Sequence, residues 1–571
     1  MQMTKHEELM ELKTLGEAPD FLDIEGFSTL SKGYLLKGET PRGAYARVSK
    51  AAASYYGENA PYWENRFFEV MWKGWLCPAS PVMSNMGTAR GLPISCDTLH
   101  LDDSVDSIFD KVHELAMLSK HGAGVGIYMG DVRGRGALIS GNGTSEGIIP
   151  WAKVFDSTII AISQGNVRRG SAALYLPVVH ADIDEFLDIR RATGDINRRC
   201  LNLNHAVCIT NDWMEEMVKG DVEKRQTYQK ILQTRVETGE PYLFFTDNVN
   251  NQNPECYTDN QLQVVTSNLC SEIMLYTDPE HTFVCCLSSL NLMRWDEWKD
   301  TDLPQIATRF LDAVLEEYIV KSSGLPGLEA SRRSAIKGRA VGIGVLGWHS
   351  LLQSKGLPFD SFESMMLNAQ IFKTIRDGAE KETAIMAKEL GEPEWCRGFG
   401  RRNTHLCAVA PTVSNSIISG GHSPGIEPWA ANIFNQRSAK GTFIKKNAEL
   451  EKLLISIDQN TPEVWKSINS KQGSVQHFDF LTKKQKEIFL TAREINQHAI
   501  VNQAAQRQKF IDQGQSINLF FAANSDPKYI HEVHMAAWEK GLKALYYCRS
   551  EGVIQGDLAS RTKEECVACE A

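Results

Sequence analysis

Apolar residues recur at mixed three- and four-residue spacings over residues 46–56 and again over 63–75, which predicts a mostly helical region over residues 1–90. A second pattern opens at Asp102-Asp103-Ser104, acidic and hydroxyl residues suited to cap a helix. It continues with Val105, Ile108, Phe109, Val112, Leu115 and Ala116 along one face. Residues 172–179 form an apolar run fit for a buried strand, and Ile183, Phe186 and Leu187 then start a helix. Such alternation predicts an α/β barrel or a parallel sheet. Residues 362–390 read as one long helix. Asp526-Pro527 caps another that is ended near Gly541, before a strand over residues 544–547. From Arg549 the periodicity is lost. The expected division is a helical region over 1–90, an α/β domain over 91–548 and a flexible tail over 549–571.

Composition narrows the class. A chain of 571 residues is too long for one simple core and suits one large or two to three ordinary domains. Its net charge of −10 argues against a nucleic-acid partner, despite a basic stretch at residues 332–339. No run approaches the roughly 18 apolar residues of a membrane span. The first residues lack the apolar stretch of a signal peptide, so a cytoplasmic protein is expected. Thirteen cysteines, an odd number, do not read as a secreted disulfide framework, and reduced thiols, some of them catalytic, are expected instead.

The stretch Ser267-Asn268-Leu269-Cys270-Ser271-Glu272-Ile273 carries the most specific chemistry. If it is extended, Asn268, Cys270 and Glu272 share one face. An amide, a sulfur capable of nucleophilic or radical chemistry and a proton-accepting carboxylate would then sit together. A structural cysteine in a buried polar turn would leave the same local signature.

Other constellations extend this reading. Gly122-Ala123-Gly124-Val125-Gly126 and residues 163–170, with Arg168, are glycine-rich turns suited to close approach to a ligand. Cys285-Cys286 lie adjacent on a predicted strand, so only one can face a site unless a bulge intervenes. Gly342-Ile343-Gly344-Val345-Leu346-Gly347 satisfies a dinucleotide-binding pattern. The long helix that follows leaves no second strand for that fold, so these glycines are expected to pack a strand closely against its helix. Pro411, Thr412 and Ser414 precede a glycine-rich segment at 420–428, and hydroxyls with exposed N–H groups at a helix start make a natural anion site. The tail holds Cys566 and Cys569, a lone pair suited to thiol exchange and short of a structural zinc set.

The Asn-Leu-Cys-x-Glu-Ile stretch resembles the finger loop of the catalytic (large) subunit of ribonucleotide reductases. Further similarities recur in order from Gly33 to the C-terminus, residues 506–521 among them. The resemblance implies a ten-stranded α/β barrel of two five-stranded parallel halves, with the finger loop through its centre and a helical N-terminal region. It implies a class I-type reduction of ribonucleoside diphosphates, with Cys270 as the thiyl radical that abstracts the ribose 3′ hydrogen. Glu272 would take the 3′-hydroxyl proton and Asn268 would hold the substrate hydroxyls. Cys96 and Cys285 would form the reducing pair; the family pattern selects Cys285, with Cys286 left as the alternative. Tyr546 and Tyr547 would pass the oxidising equivalent inward, and Cys566 and Cys569 would re-reduce the active site. Ser80, Ser95, Pro411, Thr412 and Ser414 match substrate-binding positions. Asp103, Ser104 and Arg168 match positions for deoxynucleotide effectors.

By the same resemblance the chain binds no cofactor or metal stably. Its expected partners are a ferritin-like radical-generating small subunit carrying a metal, thioredoxin or glutaredoxin as reductant, and a second copy of itself. Core-like sequence begins too early for a separate nucleotide-binding cone within this chain. Two other functions fit in part: an adenosylcobalamin-dependent reductase of the same family, which needs no partner subunit, and a non-catalytic nucleotide sensor.

Overall fold

Runs such as Ser-Ala-Ala-Leu-Tyr-Leu-Pro at 171–177 and Tyr-Leu-Phe-Phe at 242–245 are covered on both faces, which is why they are continuously apolar and do not alternate. In the computed structural model, which describes residues 4–141, 143–162, 170–438 and 441–550, five strands lie side by side and parallel. They are β1 (Cys96–His100), β2 (Gly124–Tyr128), β3 (Ser171–Pro177), β4 (Asn204–Ile209) and β5 (Tyr242–Phe245), each paired with the next. Parallel neighbours need long crossovers, and helices supply them. Val105–Lys120 joins β1 to β2, Ile149–Ile162 lies between β2 and β3, and Val222–Thr238 precedes β5.

The second half begins with β6 (Phe283–Asn291), parallel to β7 (Val341–Leu346). The chain near Cys407 bridges in parallel to Ile343, and Gln515 bridges to Val409. The N–H of Tyr546 then donates to the Ile517 carbonyl at 2.8 Å. The last segments are β8 (Leu519–Phe521), β9 (Ala544–Leu545) and β10 (Cys548–Ser550), with β8 parallel to β10. The halves meet antiparallel at both seams, β1 against β6 and β5 against β9, which closes the ring. This is the expected ten-stranded barrel of two parallel halves.

The N-terminal region is helical: Lys5–Thr14, Ile24–Gly33, Pro41–Ala53 and Ala60–Trp72. The third helix starts before its apolar pattern, because the Thr40 hydroxyl caps Gly43 N–H at 3.1 Å and Pro41 fits the first turn. This region docks on the barrel through Phe67, whose ring lies 5.4 Å from that of Phe310, and through the Tyr56 hydroxyl, which donates to the Arg309 carbonyl at 2.7 Å.

Two local expectations change. The helix predicted from Ile183 is a single turn, Ile183–Phe186. Gly342 and Gly344 lie on β7, and it is a neighbouring strand segment, not a helix, that needs them small. A β-carbon on Gly344 would sit 2.6 Å from the Ala408 carbonyl oxygen, and one on Gly342 would sit 3.1 Å from the Ala408 β-carbon. Residues 433–489 also enclose a small core of their own around Leu450, Leu454, Trp465 and Ile468, which periodicity alone did not reveal.

Candidate active site

The finger loop occupies the barrel interior because strands leave room for it and grip its carbonyls. A β-carbon on Gly126 of β2 would fall 1.9 Å from the Ser267 carbonyl oxygen, so only glycine lets the loop pass there. The glycine-rich stretch at 122–126 is therefore mainly strand, and at Gly126 it accommodates the protein's own loop where a ligand was expected. Thr98 Oγ1 donates to that Ser267 carbonyl at 3.0 Å, the Tyr175 hydroxyl to the Asn268 carbonyl at 2.6 Å and Ser516 Oγ to the Cys270 carbonyl at 2.6 Å. Gly514 N–H donates to the Glu272 carbonyl at 2.8 Å. These bonds satisfy loop carbonyls that have no water to turn to.

The loop is not extended. Ser271 N–H turns back to the Asn268 carbonyl at 3.3 Å, and Ser271 itself has φ +64°, in the left-handed region. A tight turn, not strand alternation, thus brings Asn268 and Glu272 together. Asn268 Oδ1 accepts from the N–H groups of Glu272 and Ile273 at 3.1 and 3.2 Å, while its Nδ2 donates to Glu272 Oε1 at 3.0 Å. Cys270 sits at the tip, 5% exposed.

Glu272 is buried, and burial pushes its carboxyl up to about 7, against the opposing pull of hydrogen bonds from Asn268 and Ser516. Ser516 Oγ lies 3.1 Å from Glu272 Oε2. A carboxyl poised near neutral pH exchanges a proton with little driving force in either direction, as a general base requires.

Cys96 and Cys285 are directly opposed residues of the antiparallel β1/β6 seam. Opposed residues in such a ladder have α-carbons about 4.5–5.5 Å apart, inside the range a disulfide spans. Cys286 points the other way, its thiol donating to the Leu311 carbonyl at 3.2 Å, and β6 carries no bulge there. Cys285 is thus the cysteine opposite Cys96. Gln513 Nε2 donates to Cys285 Sγ at 3.4 Å and its Oε1 accepts from Met274 N–H at 3.2 Å, joining the loop to the cysteine.

The strand over residues 544–550 breaks between β9 and β10, and at the break Tyr546 and Tyr547 bring their ring centroids to 4.3 Å. The break supplies the twist that a regular strand would not. Tyr242 of β5 completes the cluster, 4.7 Å from Tyr546 and 5.1 Å from Tyr547. Tyr546 is buried and Tyr547 half-buried.

Thr412 is buried with φ +57°, and its hydroxyl accepts from Gly425 N–H at 2.7 Å, so the glycine-rich segment folds back over the start of the helix Val413–Ile418, which carries Ser414. Pro411 precedes it, buried. The Ser419 hydroxyl donates to Cys77 Sγ at 2.9 Å, which draws the end of this helix against the segment leading to Ser80. Ser80 pairs with the Tyr34 hydroxyl at 2.9 Å, and Ser95 is buried next to Cys96. Ser104 caps the helix Val105–Lys120 through Ser107 N–H at 3.1 Å, and Asp103 grips Arg133 at 2.6 Å. Arg168, Cys566 and Cys569 lie outside the described residues.

Sequence reasoning assigned no role to Tyr175, Tyr242, Gln513 or Ser516. Ser516 falls within residues 506–521, a stretch similar to the family, which was the available signal. Gln513 lies in the same stretch, whereas Tyr175 and Tyr242 act through tertiary contacts that no local pattern marks.

Comparison with known proteins gives one family. The chain matches the ribonucleotide reductase barrel domain over residues 94–224, 216–399 and 394–548, and the ribonucleotide reductase all-alpha domain over residues 20–91. It is 38% identical to a putative ribonucleoside-diphosphate reductase large subunit of Frog virus 3, across 91% of this chain and 94% of that protein. A ribonucleoside-diphosphate reductase large subunit of Invertebrate iridescent virus 3 is 33% identical, across 96% and 98% of the two. Among solved structures, the class Id ribonucleotide reductase alpha subunit of Actinobacillus ureae superposes with a TM-score of 0.87 at 42% identity, covering 93% of this chain and 97% of that one.

Proposed function

The chain belongs to the ribonucleotide reductase large-subunit family, and from that premise we propose that it reduces ribonucleoside diphosphates by thiyl-radical chemistry at Cys270. The observation that carries this reading is the Cys270 turn, enclosed by the barrel on the same interior as the opposed Cys96 and Cys285. In the proposed reaction the Cys270 thiyl takes the ribose 3′ hydrogen atom and Glu272 takes the 3′-hydroxyl proton. The 2′-hydroxyl leaves as water, Cys96 and Cys285 supply two electrons and two protons and end as a disulfide, Glu272 returns its proton to O3′, and the hydrogen atom returns from Cys270 to C3′. Substrate would be held by Ser80, Ser95 and the segment from Pro411 to Ser414.

The close Tyr546 and Tyr547 rings support a relay from an oxidant outside this chain, hence a partner subunit that generates the radical at a metal site. Purified chain is expected to make deoxynucleotide only when a ferritin-like partner is added. Turnover by the chain alone, or with adenosylcobalamin in place of the partner, would reject that assignment.

Asp103, Ser104 and Arg168 are proposed to bind a deoxynucleotide that selects the base to be reduced. The helices Val105–Lys120 and Ile149–Ile162 lie together and leave Val105, Phe109 and Ile160 each more than half exposed, an apolar face that supports a homodimer. For the tail over residues 549–571, the expected role is thiol exchange with the Cys96–Cys285 disulfide. Cys566→Ser combined with Cys569→Ser is expected to block steady turnover with thioredoxin or glutaredoxin while a small dithiol still supports it. Equal loss with both reductants would give these cysteines another task.

A further inference from the structure

A buried polar chain lies behind the outer tyrosine. Asn204 Nδ2, on β4, donates to Tyr547 Oη at 3.1 Å and to Glu240 Oε1 at 2.5 Å. Glu240 is 2% exposed. Its other oxygen accepts from the His205 backbone N–H at 3.0 Å and from His205 Nδ1 at 3.1 Å, and Arg190 lies 3.5 Å from Oε1. Burial alone would raise this carboxyl, but Arg190 and His205 outweigh it and hold the group ionised, below the ordinary carboxylate range.

An ionised carboxylate only accepts hydrogen bonds, so the atom of Asn204 that faces it must be the amide nitrogen. The orientation of the amide is therefore set by Glu240. The phenol oxygen of Tyr547 then receives a donor, and the phenolic proton must point away from Asn204. The exposed Arg549 holds its guanidinium carbon 4.8 Å from the centre of the Tyr547 ring.

We propose that Asn204 is a positioning residue for the tyrosine relay: oriented by Glu240, it donates to Tyr547 and bars the phenolic proton from the buried carboxylate behind. The inference rests on the relay reading given above. When Tyr547 is oxidised, its electron passes to the oxidant of the partner subunit. Its proton passes to solvent water on a side other than Asn204, and a neutral tyrosyl radical remains. That radical then takes a hydrogen atom from the Tyr546 hydroxyl, which restores Tyr547 and moves the radical inward. Without the amide, a carboxylate held ionised would compete for the proton and pull it to the wrong side.

The test uses the full complex with its partner subunit and with 3-aminotyrosine in place of Tyr547, an analogue oxidised easily enough to trap the radical there. High-field EPR reads the gx value, which a hydrogen-bond donor to the radical oxygen lowers. Asn204→Ala is expected to raise gx at position 547, and in the unlabelled enzyme to slow turnover by up to about tenfold, the scale of one lost hydrogen bond. Glu240→Gln frees the amide to flip and is expected to split or broaden gx even if Asn204→Ala does not fold. Unchanged gx in the folded variants would overturn the proposal and leave Asn204 a structural residue. If the complex with intact Asn204 and Glu240 forms no radical at position 547, the relay reading itself fails and this inference falls with it.

Discussion

Replacing Cys270 by serine is expected to abolish turnover in the complete system while substrate and effector still bind. The reason is bond strength: a serine O–H is far harder to cleave homolytically than a cysteine S–H. A barrier raised by only about 5.5 kcal/mol already costs ~10⁴ in rate, and this substitution asks for more. The fold should survive, because the loop is held through its backbone. Thr98, Tyr175, Gly514 and Ser516 bind its carbonyls, and the amide of Asn268 braces its turn. Product formation over many cycles, measured beside equilibrium binding of substrate, decides the matter. Sustained multiple turnover by Cys270→Ser would refute the central assignment.

Glu272→Gln is the second large effect, with an expected loss of roughly 10²–10⁴ in kcat, the usual worth of a general base. With its carboxyl pushed up to about 7 by burial, the unmodified enzyme should gain activity as pH rises through neutrality. The variant should lack that limb. Stability moves in the opposite sense. A carboxyl whose pKa rises from the ordinary 4.5 to about 7 on folding binds more protons in the native state than in the unfolded one. Its favourable contribution is complete below about pH 4.5 and is lost as pH climbs through about 7. Glutamine has no charge to bury, so the variant should be the more stable protein at pH 8, by an amount on the order of 3 kcal/mol or less, with the difference shrinking toward pH 5. A pH-rate profile with denaturant melts at both pH values checks the two signs. An unchanged rise in activity through neutral pH in Glu272→Gln would remove Glu272 from the role of base.

Several site residues are legible in the sequence because the chemistry is packed into short segments. Asn268, Cys270 and Glu272 fall within five residues, and any fold that places one in a cavity keeps the others near. The geometry that joins them is not legible there. Strand alternation and a tight turn both bring positions i and i+4 to one side, and only the left-handed Ser271 with its bond back to Asn268 distinguishes them. The tyrosine pair shows the converse. Its neighbours in sequence would diverge on a regular strand, and their approach depends on a break between β9 and β10 that no residue type announces.

By itself the sequence determined the alternation of strand and helix, the helical N-terminal region and the candidate reactive groups, because burial on both faces and side-chain chemistry are properties of local residue choice. The tertiary structure decided which groups meet. The choice of Cys285 over Cys286 is a matter of register: a shift of one residue turns every side chain to the opposite face of β6, and only pairing with β1 fixes which thiol stands against Cys96. The elevated proton affinity of Glu272 likewise belongs to no segment, since it arises from the barrel wall that strips water from a carboxyl the sequence could only name.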